Sequence, residues 1–342
     1  MQAVDAIPSP ILLKEYVWGD LPTRSCHAST IAEAEPGVFI VAWFGGTAEG
    51  FPDVGIWTSR FDAGEWTTPV EVANGMQPDG TRYPCWNPVL FRKSEAELLL
   101  FYKVGPNPEA WWGLRRLSRD GGLTWSEAER LSADGGPAFA EPLGPIKNKL
   151  LGLGDGVLLS PSSTEGEQGW RVHFERSDDG GGTWKMIGPV NDGMAIGAIQ
   201  PSILTLGRNR LLALGRTRQK KVFKITSDDG GLSWGKMTLT DLPNPNAGTD
   251  AVTLADGRHM LVYNHSEKNR SPLNIALSDD GDTWNSTATL EAAPGEYSYP
   301  AIIQASNGNV HITYTWNRRK IAHAILDAEA LSSDGTRSPQ AH

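Results

Sequence analysis

The chain has 342 residues, of which 38 are glycine and 23 are proline, and it carries a formal net charge of −9. This acidic balance argues against non-specific nucleic-acid binding, which needs a basic surface, and no apolar run approaches the roughly 18 residues of a membrane span. The first residues lack a basic stretch followed by an apolar one, so no signal peptide is visible. We therefore expect a cytoplasmic protein that binds neither nucleic acid nor membrane.

The predicted elements, taken in chain order, are short β-strands throughout. Each is a run of apolar residues bounded by glycine, proline or polar residues, which is typical of strands joined by tight turns. No segment shows the 3.6-residue apolar period of a long helix. The clearest runs are FIVAWF (39–44), ELLLFY (97–102), GVLLS (156–160), RLLALG (210–215), HMLVY (259–263) and VHITYTW (310–316).

A short motif of the form Ser-x-Asp-x-Gly…Trp recurs between these strands. Aspartate can bond the backbone amides of a turn, glycine adopts positive φ without strain, and the tryptophan can pack back into the blade. We predict that each copy is a folding turn between two strands and carries no chemistry. The copies are SRFDAGEW (59–66, the weakest), SRDGGLTW (118–125), SDDGGGTW (177–184), SDDGGLSW (227–234) and SDDGDTW (278–284).

The spacing of the copies predicts the architecture. Their serines are 59, 59, 50 and 51 residues apart, and a mean interval of about 55 residues gives about six repeating units. The sixth unit lacks the motif and would combine residues 297–326 with an N-terminal strand at 11–14, which closes the ring and removes the sheet edges. We predict an all-β fold, a six-bladed β-propeller in a single domain at residues 1–328, followed by a polar tail at 329–342.

The motifs are Asp boxes, and the sequence resembles the sialidase (neuraminidase) superfamily over nearly its whole length. It is most similar to the bacterial and fungal proteins named predicted neuraminidases. The segments that carry this similarity are HAST, AWFGGT, CWNP, LGPIKNK and YSYPA. The resemblance implies a glycan as the partner.

A second repeat precedes the boxes and predicts where the site lies. Its copies open with polar residues and then become apolar, as expected for the innermost strand of each blade. The starts of these strands converge on one mouth around the propeller axis. Polar residues at strand starts also serve as simple caps, so each position has a structural alternative. The predicted ring contains His27, Asn87, Lys147, Gln200, Asp250 and Tyr297 or Tyr299.

The loops between the second and third strands should share this mouth, because the second strand returns to the same face. Guanidinium groups bind carboxylates bidentately, and indole rings stack on sugars. The mouth therefore indicates a site for an anionic, hydroxyl-rich ligand. The loop residues are Asp53, Lys103, Trp111, Trp112, Glu165, Arg171, Arg216, Arg218, His265, Arg270 and Arg318.

The resemblance also implies roles for single residues. Sialidases hold the substrate carboxylate with three arginines, and they use an aspartate as acid/base and a tyrosine nucleophile paired with a glutamate. Arg216 in LGRTR resembles the second arginine, and Arg270 resembles the third. Asp53 lies where the acid/base loop is expected. Tyr297 in EYSYP resembles the nucleophile, with Tyr299 as its rival by strand register.

Two positions depart from the family pattern. His27, in Cys-His-Ala-Ser, stands where the first arginine of Tyr-Arg-Ile-Pro is expected. Gln200 stands where the glutamate beside the nucleophile is expected. An amide can neither accept a proton nor supply the negative charge that activates a phenol. Both departures favour a substrate other than ordinary sialic acid.

No cofactor and no metal are expected. The sequence has no GxGxxG at the start of a helix, no P-loop and no HExxH. Cys26, His27 and Cys85 could lie at neighbouring strand starts, but three residues placed only by a fold prediction are weak support for a metal site. Two cysteines also cannot build a disulfide framework.

Three functions fit these observations. The first is a sialidase-type glycoside hydrolase acting on a terminal uronic, ulosonic or sialic acid of a glycan. Asp53 would protonate the leaving oxygen or activate water, and Tyr297 would attack or stabilise the anomeric carbon. Arg216 and Arg270 would hold the carboxylate.

The second function is a lyase that cleaves a uronate by β-elimination. Lys147 or an arginine would neutralise the carboxylate, His27 or Tyr297 would move the proton, and Gln200 could bond the carboxylate. The third is a carbohydrate-binding propeller without turnover, since propellers host many functions. The products separate the first two, because elimination leaves a conjugated double bond that absorbs in the near ultraviolet.

Overall fold

A computed structural model describes residues 9–20, 22–133 and 141–331 of the chain. These residues form 26 strands arranged in six sheets, and no helix long enough to cross a membrane occurs among them. The first strand, β1 (Ile11–Tyr16), belongs to the last sheet.

Blades 1 to 3 follow in chain order. Blade 1 contains β2 (Ser25–Glu35), β3 (Val38–Gly46), β4 (Gly55–Asp62), β5 (Glu65–Trp66) and β6 (Val70–Ala73). Blade 2 contains β7 (Cys85–Arg92), β8 (Leu98–Val104), β9 (Trp112–Ser118) and β10 (Glu129–Arg130). Blade 3 contains β11 (Ser132–Ala133), β12 (Leu151–Gly154), β13 (Val157–Thr164), β14 (Arg171–Ser177) and β15 (Thr183–Ile187), with β11 parallel to β15.

Blades 4 to 6 are antiparallel sheets of four strands each. Blade 4 contains β16 (Ala198–Thr205), β17 (Leu211–Thr217), β18 (Lys221–Ser227) and β19 (Thr238–Pro243). Blade 5 contains β20 (Asp250–Thr253), β21 (His259–Tyr263), β22 (Leu273–Ser278) and β23 (Asn285–Glu291). Blade 6 contains β24 (Tyr297–Gln304), β25 (Val310–Trp316) and β26 (Lys320–Leu326), completed by β1.

The ring closes through the pairing of β1 with β26. The two strands are antiparallel, with Lys14 opposite Ala324 and Tyr16 opposite Ala322. The predicted six-bladed propeller, with its sixth blade built from both ends of the chain, is therefore confirmed. Without β1, the outer edge of β26 would present unpaired backbone N–H and C=O groups to solvent, and the pairing with β1 satisfies them.

The apolar core lies between the blades. Six clusters of buried side chains each come mainly from two consecutive blades, because a sheet buries its apolar face only against another layer. The box tryptophans join these clusters: Trp184 of blade 3 meets Phe101 of blade 2 edge-on at 6.2 Å, and Trp234 of blade 4 stacks on Phe174 of blade 3 at 3.9 Å. The tryptophans pack back onto their own blade, as expected, and also onto the preceding blade, which the sequence did not predict.

The Asp boxes are turns between third and fourth strands, as predicted. In the copy at 177–184, the Ser177 hydroxyl donates to Asp179 at 2.7 Å and accepts from the Gly181 amide at 2.8 Å. Asp179 also accepts from the amide and hydroxyl of Thr183 at 2.9 Å. These hydrogen bonds lower the pKa of Asp179 to about 2 against the opposing effect of burial. The boxes lie on the face opposite the starts of the inner strands.

Packing against the propeller continues beyond the predicted domain boundary at residue 328. The Arg258 guanidinium donates to the carbonyls of Ala328 at 2.9 Å and Leu331 at 2.6 Å. Leu331 is buried in the core between blades 5 and 6. The rest of the predicted tail, residues 332–342, lies outside the described residues.

Candidate functional site

Backbone irregularities at the starts of the inner strands shape the mouth. Asn87, Gln200 and Tyr299 adopt positive φ values of 40°, 57° and 51°, and each precedes a proline. Pairing with the second strand is interrupted at each point, because proline donates no backbone hydrogen bond and the extra residue forms a bulge. Ala28 and Lys147 have the same backbone conformation in blades 1 and 3. In five of the six blades, one residue near the start of the inner strand thus leaves the regular alternation of side chains.

Tyr299 lies among the cations of this mouth. The guanidinium carbons of Arg216 and Arg270 are 5.3 and 5.7 Å from its ring centroid. The Lys147 Nζ is 6.0 Å from the same centroid, and the ring of His27 is 4.2 Å away. Four side chains from four different blades therefore surround the ring of Tyr299.

Tyr297 has a different environment, although it lies only two residues earlier in β24. It is buried in the core between blades 5 and 6, with its ring 6.5 Å from that of Trp316. Residues two apart share a face in a regular strand, but the bulge at Tyr299 breaks this rule. Of the two tyrosines considered from the sequence, the structure brings Tyr299 to the arginines and leaves Tyr297 in the core.

Glu296 organises two arginines at the rim of the mouth. One of its carboxylate oxygens accepts from Arg270 Nη1 and from Arg318 Nε, both at 2.8 Å. Although burial opposes it, the hydrogen bond and charge of Arg318 and then the charge of Arg270 lower the pKa of Glu296. Arg318 also pairs with Glu49. Both arginine side chains remain 28% exposed, so a ligand can still reach them.

These contacts give a group of three arginines from blades 4, 5 and 6: Arg216, Arg270 and Arg318. Sequence reasoning placed Arg318 among the mouth loops without a role, and it missed Glu296 completely. No motif marks either residue, because their relation depends on a turn between β25 and β26 meeting the start of β24. An acidic residue directly before the Tyr-Ser-Tyr segment was the signal at hand.

His27 does not supply a positive charge in place of an arginine. It is 1% exposed, and its Nδ1 lies 3.1 Å from the Thr315 hydroxyl. Burial, followed by the charges of Arg318, Arg270, Arg216 and Lys147, holds the pKa of His27 well below its usual value. A neutral imidazole therefore packs against Tyr299.

Gln200 is buried beside Arg216 with polar atoms left free. Its Oε1 has no hydrogen-bond partner among the described residues, and the same holds for Arg216 Nε, Asn246 Oδ1 and Thr249 Oγ1. Gln200 is 2% exposed and Arg216 is 6% exposed. Buried polar atoms normally have partners, so these four atoms at the mouth of blades 4 and 5 are free to bond a polar ligand.

Two of the predicted ligand-binding residues hold the inner strands together. Asp250 accepts from Lys149 at 2.8 Å, from the Ser202 hydroxyl at 2.9 Å and from the Ile302 amide at 2.9 Å, so it joins four blades. Lys147 donates to Asn148, to the Thr249 carbonyl and to the Pro300 carbonyl. Burial lowers the pKa of Lys147 to about 7. Both residues form the floor of the mouth.

Blade 3 adds an aromatic wall that sequence reasoning missed. The Trp170 ring lies 4.4 Å from the guanidinium carbon of Arg218 and 5.2 Å from that of Arg216. Glu165 lies near the same group, and burial raises its pKa against the opposing charges of Arg216 and Arg218. Trp170 therefore places a flat apolar surface beside the arginine group, as sugar recognition requires.

The remaining predicted residues lie at the edge of the mouth or outside it. Asp53 is exposed, and its carboxylate accepts from the amide and hydroxyl of Thr47 at 2.9 and 2.8 Å. Asn87 is buried on its bulge. His265 is exposed and contacts the Tyr263 hydroxyl.

The two adjacent tryptophans of blade 2 face different neighbours. Trp112 packs between Tyr83 and Arg130, away from the arginine group. Trp111 instead packs with Trp86 and Ile146 in a separate small apolar cluster. Sequence reasoning placed both on the mouth loops and assigned ligand binding to Trp112.

The described residues contain no group of three His, Cys, Asp or Glu side chains able to hold a metal ion. Cys26 lies in the core between blades 6 and 1, and Cys85 in the core between blades 1 and 2. Both are unpaired thiols. Burial raises the pKa of Cys26 to about 12 and also raises the pKa of Cys85.

Comparisons with known proteins agree with this architecture. Residues 37–312 match the BNR repeat-like domain family. The sialidase of Micromonospora viridifaciens is 26% identical over 221 residues, which is 58% of this chain and 32% of that protein, so the chain spans about a third of that relative's length.

Two solved structures have closely similar folds. A protein of unknown function from Dyadobacter fermentans has a TM-score of 0.76 at 17% identity, covering 93% of this chain and 98% of that one. The NanB sialidase of Streptococcus pneumoniae has a TM-score of 0.75 at 13% identity, covering 95% of this chain and 71% of that one. The ring of six blades with Asp-box turns defines a sialidase-type propeller. The chain belongs to the BNR repeat-like domain family.

Proposed function

We propose that the protein is a sialidase-type glycoside hydrolase that removes a terminal acidic sugar from a glycan. The observation that carries this proposal is the arginine group: Arg216 and Arg270 lie against the ring of Tyr299, and Glu296 joins Arg318 to Arg270. Guanidinium forks bind carboxylates bidentately and stay charged at every physiological pH. A carboxylate held there would place the sugar ring beside the phenol.

Each side chain then has a defined task. Arg270 and Arg318 bind the substrate carboxylate, and Glu296 holds both in place. Tyr299, after losing its proton to solvent, attacks or stabilises the anomeric carbon as the bond to the leaving oxygen breaks, and the positive charge around it favours the negative phenol oxygen before the attack. Asp53, on the exposed loop after β3, donates the proton to the leaving oxygen and afterwards activates water.

The altered surroundings of Tyr299 favour a sugar other than sialic acid. His27 is neutral and buried, so it offers no guanidinium fork, and Gln200 offers an amide where a nucleophilic tyrosine of this class has a carboxylate partner. We expect slow turnover or none on simple sialosides, and better turnover on uronic or other ulosonic acids. Efficient cleavage of a simple sialoside would contradict this substrate assignment.

The test uses aryl glycosides of glucuronic, galacturonic, ulosonic and sialic acids, with release of the aryl group as the signal. Tyr299→Phe should abolish release of the aryl group from whichever glycoside the unmodified protein cleaves. Tyr297→Phe is the matched control, because it removes the same hydroxyl two residues away in the core, and it should keep most of the rate. If Tyr297→Phe is inactive and Tyr299→Phe is active, the catalytic assignment is wrong.

A uronate lyase is the second candidate, and the neutral His27 against Tyr299 is the observation that favours it. A neutral imidazole beside a phenol suits proton transfer, and Gln200 suits an uncharged bond to a substrate carboxylate. In β-elimination a base removes the proton next to the carboxylate, the leaving oxygen departs with the bonding electrons, and a double bond forms. Near-ultraviolet absorbance of the products separates this reaction from hydrolysis.

A further inference from the structure

A cleft between blades 6 and 1 opens on the same face as the mouth. It has a volume of about 550 Å³ and is lined by the segment before β2 and by the turn between β25 and β26. Arg318 lies in its wall and also in the wall of a neighbouring groove of about 460 Å³ that contains Arg270 and Glu296. The cleft therefore begins at the arginine group.

The cleft is strongly cationic in a chain whose net charge is −9. Arg24, Arg318, Arg319 and Lys320 line it, together with a single acidic residue, Asp20. Such a concentration of one sign raises the local concentration of anions.

The cations of the cleft differ in whether they already form ion pairs or hydrogen bonds within the protein. Arg318 is paired with Glu296 and Glu49, and Lys320 donates to the Gly19 carbonyl. Within the described part of the chain, the guanidiniums of Arg24 and Arg319 make neither an ion pair nor a side-chain hydrogen bond, and both side chains are exposed. Two guanidinium forks therefore remain available to a ligand.

The frame that carries these two arginines is fixed. The Arg318 carbonyl accepts from the Cys26 amide at 2.9 Å, so the turn of blade 6 is bonded to the first inner strand. Asn317 exchanges hydrogen bonds with Glu296, through its amide at 2.7 Å and its side-chain oxygen at 2.8 Å. Arg319 follows directly, and Arg24 directly precedes β2. A ligand bound there would meet arginines held at a set distance from the mouth.

We propose that this cleft is a second anion-binding subsite, which holds a carboxylate or sulfate on the sugar next to the acidic sugar at Arg270 and Arg318. The substrate is then a glycan with charged groups on neighbouring units. This inference rests on the proposed function, because it takes the arginine group as the first subsite.

Equilibrium binding of three disaccharides tests the proposal. All carry the same terminal uronic acid, linked to a second uronic acid, to a neutral hexose or to a hexose sulfate, and the free uronic acid is the reference. The unmodified protein should bind one or both dianionic compounds at least about fivefold more tightly than the neutral one, as expected for exposed but bidentate ionic contacts. The preferred compound identifies carboxylate or sulfate as the group held.

The double variant Arg24→Gln/Arg319→Gln should lose this preference and keep its affinity for the free uronic acid. The matched control is Arg208→Gln/Lys236→Gln, which removes two exposed cations from the Asp-box face and should change nothing. Equal affinity for the dianionic and neutral compounds, or equal loss in both double variants, would overturn the subsite.

Binding and turnover also separate this proposal from the hydrolase. A preference that depends on Arg24 and Arg319, in a protein that cleaves none of the compounds, supports the subsite and rejects the hydrolase. Cleavage of aryl uronides without any gain from a second anion rejects the subsite and leaves the hydrolase intact.

Discussion

Glu296 and Arg318 are joined by a 2.8 Å hydrogen bond between Oε1 and Nε, and the same oxygen holds Arg270. This one carboxylate fixes the spacing of two guanidiniums from different blades. A preformed spacing lowers the ordering cost that a substrate carboxylate must overcome on binding. Glu296 is thus a positioning residue in the proposed site.

Glu296→Gln should raise KM for an acidic glycoside about tenfold, which corresponds to about 1.4 kcal/mol, with a smaller effect on kcat. The amide keeps the size of the side chain but removes the charge that both arginines bond. Glu97→Gln is the matched control, because Glu97 also pairs with two cations, Lys93 and Arg119, at the far face. An unchanged KM in Glu296→Gln, or equal effects in both variants, would count against the positioning role.

Gln200→Glu should weaken binding of an acidic substrate by about 2–4 kcal/mol. The new carboxylate would be buried at a position that is 2% exposed, would repel the substrate carboxylate and would remove an amide donor. Gln200→Leu separates the two causes, since it removes the donor without adding charge and should lose less. Unchanged or faster turnover in Gln200→Glu would show that the tyrosine still works with a carboxylate partner.

Asp179→Ala should lower the free energy of unfolding by about 1–2 kcal/mol without changing the activity of each folded molecule. The substitution removes the acceptor of the Ser177 and Thr183 hydrogen bonds on the face opposite the mouth. Thermal unfolding and kcat, measured on the same preparation, test both parts. Asp178→Ala changes an exposed neighbour and should have little effect; a fall in kcat for Asp179→Ala at unchanged stability contradicts the structural role.

His311 should make the fold sensitive to acid. Its Nδ1 lies 3.0 Å from Nε2 of His323 on β26, whose Nδ1 lies 2.9 Å from Glu15 on β1. Burial, and then the charge of His323, lower the pKa of His311 from 6.5 to about 4, while Glu33 and Glu15 act in the opposite direction. The unfolded chain therefore binds this proton at a higher pH than the folded chain does.

Because the folded pKa is the lower one, the stability contributed by neutral His311 is present above pH 6.5 and is lost as the pH falls toward 4. The loss at this residue alone amounts to about 3 kcal/mol. Urea unfolding at intervals between pH 7 and pH 4 measures it. His311→Gln should flatten the pH dependence, and the exposed His265→Gln should not; identical slopes in the two variants would refute the assignment.

The propeller could be predicted from the sequence, but the orientation of the side chains at its centre could not. Box spacing predicted six blades and closure by both ends of the chain, because turns and strand periods are local properties. Which of Tyr297 and Tyr299 faces the mouth depends on a bulge in β24. The two-residue period of a regular strand does not predict such a bulge. The shared Asn-Pro, Gln-Pro and Tyr-Pro pairs at 87, 200 and 299 were a signal for it.

The arginine group was predictable only in part for a related reason. Arg216 and Arg270 lie in segments that resemble sialidase motifs, whereas Arg318 follows an ordinary strand. Its role becomes visible only when the β25–β26 turn meets Glu296 in space. Asp250 and Lys147 show the reverse case, because polar residues at inner strand starts also bond neighbouring blades.

The pairing of β1 with β26 also sets the order of events when the chain is made. On the ribosome β1 emerges first, yet its partner strand follows about 300 residues later, and contacts between such distant segments form slowly. Blades 1 to 5 can assemble before blade 6 is made, and β1 has no partner strand until then. During that interval the unpaired β1 can pair with β26 of another chain, so crowded synthesis would favour swapped dimers.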